Sequence, residues 1–214
     1  MSWFDNFDHH QTVLNGVAMR YRVGGNPNGT PLLLVHGAFH GAWCWQDHWM
    51  PYLASLGYDV WAFSLRGHGA SQGSYRGAGL QDYLDDLRSV VEMLPEEPIL
   101  VGHSLGGYLV QHLISERTFP GAVLMGSVPH NGLPVSSLMG KVTQYPTQLF
   151  RTLFTQDLRP LVERPHLVAE QFFSEATPDR DVVACTERLG GESARLFWEL
   201  VRSSLRPASH QCRT

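Results

Sequence analysis

The chain has 214 residues, 43% hydrophobic and 17% charged, with 21 glycines, a composition that suits one globular domain with a sizeable core and room for a small subdomain. A net charge of −4 supplies no basic field, so nucleic acid and anionic membrane surfaces are excluded as expected partners. No run approaches the roughly eighteen apolar residues of a membrane span, and the opening MSWFDNFDHHQT lacks the basic and apolar regions of a signal peptide. Cys44, Cys185 and Cys212 stand far apart without metal-type spacing; free thiols and a cytoplasmic location are expected.

VAMRYRVGG at 17–25 alternates with period two, and NPNGT after it reads as a hairpin-like turn into the next run. PLLLVHG is continuously apolar, as in a strand buried on both faces of a parallel sheet. DHWMPYLASLG reads as a helix closed by Gly57, and YDVWAFSL as a second buried strand. In LQDYLDDLRSVVEML, Leu80, Tyr83, Leu84, Leu87, Val90, Val91 and Leu94 recur at helical spacing before Pro95. PILVG is the third buried strand, LGGYLVQHLISE its helix and GAVLMGSV the fourth strand. This alternation predicts an α/β fold: an open, mostly parallel sheet with helices on both faces and its site at the carboxyl ends of the strands.

Beyond about residue 129 the pattern changes to short helices broken by proline and glycine, without a strand-like run. The expected organisation is an α/β core over 1–129, a helical cap over 130–203 and a disordered tail at 204–214.

Gly102, Ser104 and Gly106 form a G-x-S-x-G match placed after a predicted strand and at the start of a predicted helix. That placement makes the five letters informative, because a strained strand-to-helix turn exposes a serine hydroxyl while small neighbours relieve the crowding. The helix N-terminus favours negative charge beside it. His36-Gly37-Ala38 ends the first buried parallel strand, and the backbone N–H groups of Ala38 and Leu105 could converge on the oxygen that turns negative when Ser104 attacks a carbonyl.

HGAFHGAW, SLRGHGAS and GHSLGG together resemble the α/β-hydrolase fold superfamily over about residues 15–130, and HGA followed by HGAWCW is similar to small-molecule esterases, plant methylesterases and hydroxynitrile-lyase relatives. The resemblance implies Ser104 as nucleophile and Ala38 and Leu105 as oxyanion donors, with His36 and His103 as motif residues other than the base. Ser64 stands where the family commonly has an aspartate. The family's acid and base follow later strands, in the order Ser, Asp or Glu, His, whereas the tail ASHQCRT is polar and too short for two strand–helix units of about 30 residues each. A truncated, impaired hydrolase lacking its last strands and both triad partners is therefore expected.

Among the remaining histidines, His112 lies eight residues along the same helix, about 12 Å away. His130, after the fourth strand, is the best surrogate base or a pocket residue; His166 reads as surface and His210 as tail. Asp157, Asp179 and Asp181 read as turn or helix-start residues. Trp43, Trp45 and Trp49 read as core, or as the wall of an apolar pocket. His40 and His48 lack the company of a metal site, and no nucleotide-binding glycine loop is present, so neither metal nor cofactor is expected. The expected ligand is a small ester or acyl compound. A hydroxynitrile-lyase or C–C hydrolase relative, for which Lys141 leaves some room, and a non-catalytic binding protein or inactive fragment are the alternatives.

Overall fold

The structure, a computed structural model, describes residues 8–133 and 144–202. Six strands, β1 (Asp8–Leu14), β2 (Val17–Gly25), β3 (Pro31–Val35), β4 (Asp59–Phe63), β5 (Ile99–His103) and β6 (Ala122–Met125), form one sheet in the order β1-β2-β4-β3-β5-β6. Strands β4, β3, β5 and β6 are mutually parallel, and β1 and β2 add antiparallel at one edge. The α/β, mostly parallel sheet expected from the alternating runs is the architecture observed.

The sequence reading missed β1, and it put the hairpin in the wrong place. DHHQTVL has too few apolar residues to announce a strand, but Asn15 and Gly16 both take positive φ, 48° and 71°, the Asn-Gly geometry that closes a two-residue hairpin. β2 therefore pairs back with β1, and NPNGT carries the chain past β4 to β3.

All five residues of PLLLV are buried because alternate side chains feed two cores. Leu33 and Val35 join Phe63, Leu100 and the apolar faces of α2 (Leu80–Met93) and α3 (Leu105–Glu116). Leu32 and Leu34 join Val60, Ala62 and Val101 against Trp45, just before α1 (Trp49–Ser55), and Met50 within it. The strands thus read as unbroken apolar runs, since each face has its own helical cover. At the other edge, Val123 and Leu124 of β6 remain 48% and 44% exposed.

The C-terminal part holds α4 (Pro146–Thr155), α5 (Pro165–Phe172), α6 (Asp179–Arg188) and α7 (Ala194–Arg202). Prolines at the starts of α4 and α5 and Asp179 and Asp181 in the first turn of α6 mark the helix beginnings. These helices share a small core around Leu161, Val168 and Val182, while Leu196 and Leu200 of α7 enter the main one. Lys141, His210 and the whole tail 204–214 lie outside the described residues. Among the described residues no helix is long and apolar enough to cross a membrane.

Candidate active site

Ser104 sits between β5 and α3 with φ 51° and ψ −114°, a backbone conformation that costs a non-glycine residue about 1–3 kcal/mol. Neighbouring chain holds it there. Its N–H donates to Met125 O at 3.0 Å, and its carbonyl accepts from Tyr108 N at 3.2 Å and Val128 N at 3.1 Å. The turn is tight because α3 lies almost on β3: a β-carbon at Gly106 would come within 2.3 Å of the Val35 carbonyl oxygen. Among the described residues nothing hydrogen-bonds to the Ser104 hydroxyl.

The loop after β3 faces this turn closely enough that a β-carbon at Gly37 would lie 3.1 Å from Ser104 Cβ. Ala38, Ser104 and Leu105 line one cavity of about 430 Å³, within the size range of small-ligand pockets. Leu105 is the first residue of α3, so its N–H has no carbonyl to meet within the helix. The Ala38 and Leu105 N–H groups have no acceptor among the described residues, leaving two donors on the wall that carries the serine.

Three histidines surround this loop, and none is poised as a base. His36 is buried, with Nδ1 donating to the Gly37 carbonyl at 2.8 Å and Nε2 accepting from Leu65 N at 3.1 Å. Burial first, then the charge on His68, holds it well below the ordinary histidine range. His40 donates through Nδ1 to the Ala38 carbonyl at 2.7 Å, and burial lowers it to about 4. Burial also lowers His103, which lines the cavity.

The sequence reading did not single out His68 or Glu192. His68 is fully buried, with Nδ1 2.9 Å from the Arg66 carbonyl and Nε2 3.2 Å from Glu192 Oε2. Both ring nitrogens face oxygen acceptors, an arrangement that favours the doubly protonated, cationic ring. Burial alone would lower His68; the Glu192 carboxylate outweighs it and the net shift is upward. Glu192 shows the reverse balance, with burial raising it and His68 holding it below the ordinary carboxylate value. Tyr83 Oη and Ser193 N complete the carboxylate shell at 2.8 Å each. Glu192 lines the Ser104 cavity from the helical side.

Asp157 is likewise more than a turn residue. It bonds Arg159 N at 2.9 Å, as a turn aspartate should, and also accepts from Tyr75 Oη at 2.8 Å and Arg76 at 3.2 Å. Glu199 of α7 accepts from Leu80 N at 2.6 Å. Ser64, in the position of the family's aspartate, accepts Ala42 N at 2.9 Å, so a hydroxyl holds the loop from that position.

His130 lies exposed on the turn after β6 and does not itself line the cavity, although Val128 and Leu133 on either side of it do. His112 is on α3, with Nε2 buried and without a hydrogen-bond partner, and His166 is exposed on α5. Trp45 packs in the core behind β3, Trp49 is 41% exposed and Trp43 lies under the Arg188 guanidinium at 4.5 Å. None of the three tryptophans lines the Ser104 cavity.

A mostly parallel sheet in which β5 leads through a half-buried, strained serine into a helix is the arrangement that the comparisons with known proteins place in a family. The model of the alpha/beta hydrolase family matches residues 32–212, and the chain belongs to that family. It is 30% identical over 168 residues to methylesterase 2 of Arabidopsis thaliana, covering 77% of this chain and 53% of that protein. It is 33% identical over 127 residues to a bifunctional esterase/perhydrolase of Acinetobacter calcoaceticus, covering 55% and 44%. The chain thus spans about half the length of these curated relatives. Among solved structures, a hydrolase from Pseudomonas aeruginosa superposes with a TM-score of 0.66 at 21% identity, covering 94% of this chain and 75% of that one. A carboxylesterase structure from Nitrososphaera gargenis gives 0.63 at 20%, covering 94% and 68%.

Proposed function

We propose that this hydrolase is a carboxylesterase-type enzyme in which Ser104 attacks the carbonyl carbon of a small ester or acyl compound. The Oγ–carbon bond forms as the alcohol leaves with a proton, and water then releases the acid from the acyl-serine. The Ala38 and Leu105 N–H groups hold the oxyanion of the tetrahedral intermediate. The observation that carries this reading is the strained Ser104, its hydroxyl unpartnered among the described residues, on the same cavity wall as those two unpaired donors. Esterases among the relatives support the substrate class.

The helical segment 130–203 acts in this reading as a cap over the sheet edge, supported by the residues of α5 and α7 that line the cavity opposite Ser104. His130 is kept as a substrate-pocket histidine or surrogate base on turn–sheet position alone. The 214-residue chain by itself is impaired, since no described imidazole meets Ser104 Oγ; loss of triad partners costs about four to six orders of magnitude in rate. The proposal includes a cytoplasmic setting, in keeping with Cys44 and Cys185 as free thiols.

The test is hydrolysis of p-nitrophenyl acetate by the chain and by Ser104→Ala, both shown folded by circular dichroism, with and without imidazole as an external base. Slow release is expected, raised by imidazole beyond its own background, and that increment is lost in Ser104→Ala. Equal release by the two folded proteins under both conditions overturns the proposal.

A further inference from the structure

The charge balance of the Ser104 cavity points to a class of substrate. Its walls are aromatic and aliphatic, with Phe39, Tyr145, Phe172 and Phe197 among them. No lysine or arginine is among the described residues that line it. Burial favours the neutral form of both His40 and His103, and Glu192 is paired with His68 at 3.2 Å. The remaining charge is the carboxylate of Glu170, on α5 at the exposed rim. It accepts a hydrogen bond from Tyr145 Oη at 2.5 Å, a neutral donor that adds no countercharge. Burial and this carboxylate keep the Tyr145 phenol protonated, pushed up to about 12. Phe39 and Phe172 meet edge to face at 6.4 Å beside it.

A carboxylate set among aromatic rings, with no lysine or arginine beside it among the described lining residues, attracts a positive group twice over, by direct charge and by the negative faces of the rings. It repels a carboxylate for the same reason. We propose that this cavity prefers esters bearing a cationic amine or quaternary ammonium group, with Glu170 as the specificity-determining residue and the ammonium held between it and the aromatic wall. Resting on the esterase reading for which bond reacts, the inference concerns which esters reach it. Because Glu170 lies at the solvent rim, water screens the attraction, and the effect expected is about three- to tenfold.

Acetylcholine and 3,3-dimethylbutyl acetate have the same shape and differ in the charge of one atom. Their binding to Ser104→Ala, in which neither is consumed through the serine, is measured by ligand-observed NMR titration. The cation should bind about three- to tenfold more tightly. Adding Glu170→Gln should bring the two dissociation constants together, and adding Tyr145→Phe, which keeps the carboxylate, should preserve the gap. Equal binding of the two esters, a preference that survives Glu170→Gln, or one abolished by Tyr145→Phe overturns the proposal. Should the unmodified chain show no serine-dependent hydrolysis while the preference holds and follows Glu170, the esterase reading fails and the charge selectivity stands.

Discussion

The two walls of the Ser104 cavity are built by opposite means. The sheet side is made of backbone: a strained turn, two unpaired N–H groups and glycines that let α3 lie against β3, all within a few residues of Ser104 or of His36. The helical side supplies side chains and is fastened to the core through carboxylates, Glu192 to His68 and Tyr83, Asp157 to Tyr75 and Arg76, and Glu199 to Leu80 N. Backbone hydrogen bonds and the close packing of α3 on β3 hold the first wall, whereas the second depends on carboxylate hydrogen bonds formed across 81 to 124 residues of chain. The chemical wall should therefore answer to packing changes and the helical wall to charge and pH.

The largest effect should fall on the backbone-built wall. Gly106→Val places new atoms against the Val35 and His36 carbonyls, at 2.3 and 2.6 Å from the β-carbon alone. Backbone on that side has nowhere to yield, so a loss of about 4 kcal/mol or more in urea unfolding is expected. A stable, normally unfolding variant would mean that α3 is not pressed against β3.

On the other wall, His68→Ala strands a buried carboxylate and should cost about 3–5 kcal/mol. Glu192→Gln in the same chain should recover part of that loss, with a coupling of about 1–3 kcal/mol in the double-mutant cycle. Additive losses would show that the two side chains do not act as a pair.

The same pair sets a pH window. His68 is raised on folding, so its contribution is full below the ordinary histidine value of 6.5 and is lost as pH rises through the folded value. Glu192 is lowered, so its contribution is full above the ordinary value of 4.5 and is lost as pH falls through the folded one. Stability, read as the urea midpoint, should be greatest between about 4.5 and 6.5 and decline on both sides, and His68→Ala/Glu192→Gln should flatten the profile. An unaltered profile in the double variant would break the assignment.

The smallest effect is a gain. Ser104→Gly relieves a positive φ of 51°, and thermal unfolding should show the folded state about 1 kcal/mol more stable. A loss would mean that the turn holds no strain.

The sequence revealed the first wall far better than the second. Strands β3 to β6, the helices beside them and the elbow were all legible, because unbroken apolar runs, helical spacing and G-x-S-x-G are local signals. The hairpin Asn-Gly at 15–16 was present as letters, yet DHHQTVL beside it was too polar to be recognised. His68 lies within SLRGHGAS with no local signal that sets it apart. Nothing near Glu192 says that its carboxylate meets that imidazole, since a single sequence carries no record of a pairing 124 residues apart. The same blindness hid Glu170, whose proposed importance comes from the absence of lysine and arginine among the described residues that line the cavity.

The central proposal is that Ser104, whose hydroxyl has no hydrogen-bond partner among the described residues, acts as a nucleophile and carries an acyl group during the reaction. Incubation of the 214-residue chain with p-nitrophenyl acetate, then acid quench and peptide mass mapping, tests it directly. The account predicts an acetyl group on the peptide containing Ser104, absent in folded Ser104→Ala. A folded chain that releases p-nitrophenol without acetylating Ser104, or acetylates Ser104→Ala equally, would contradict it.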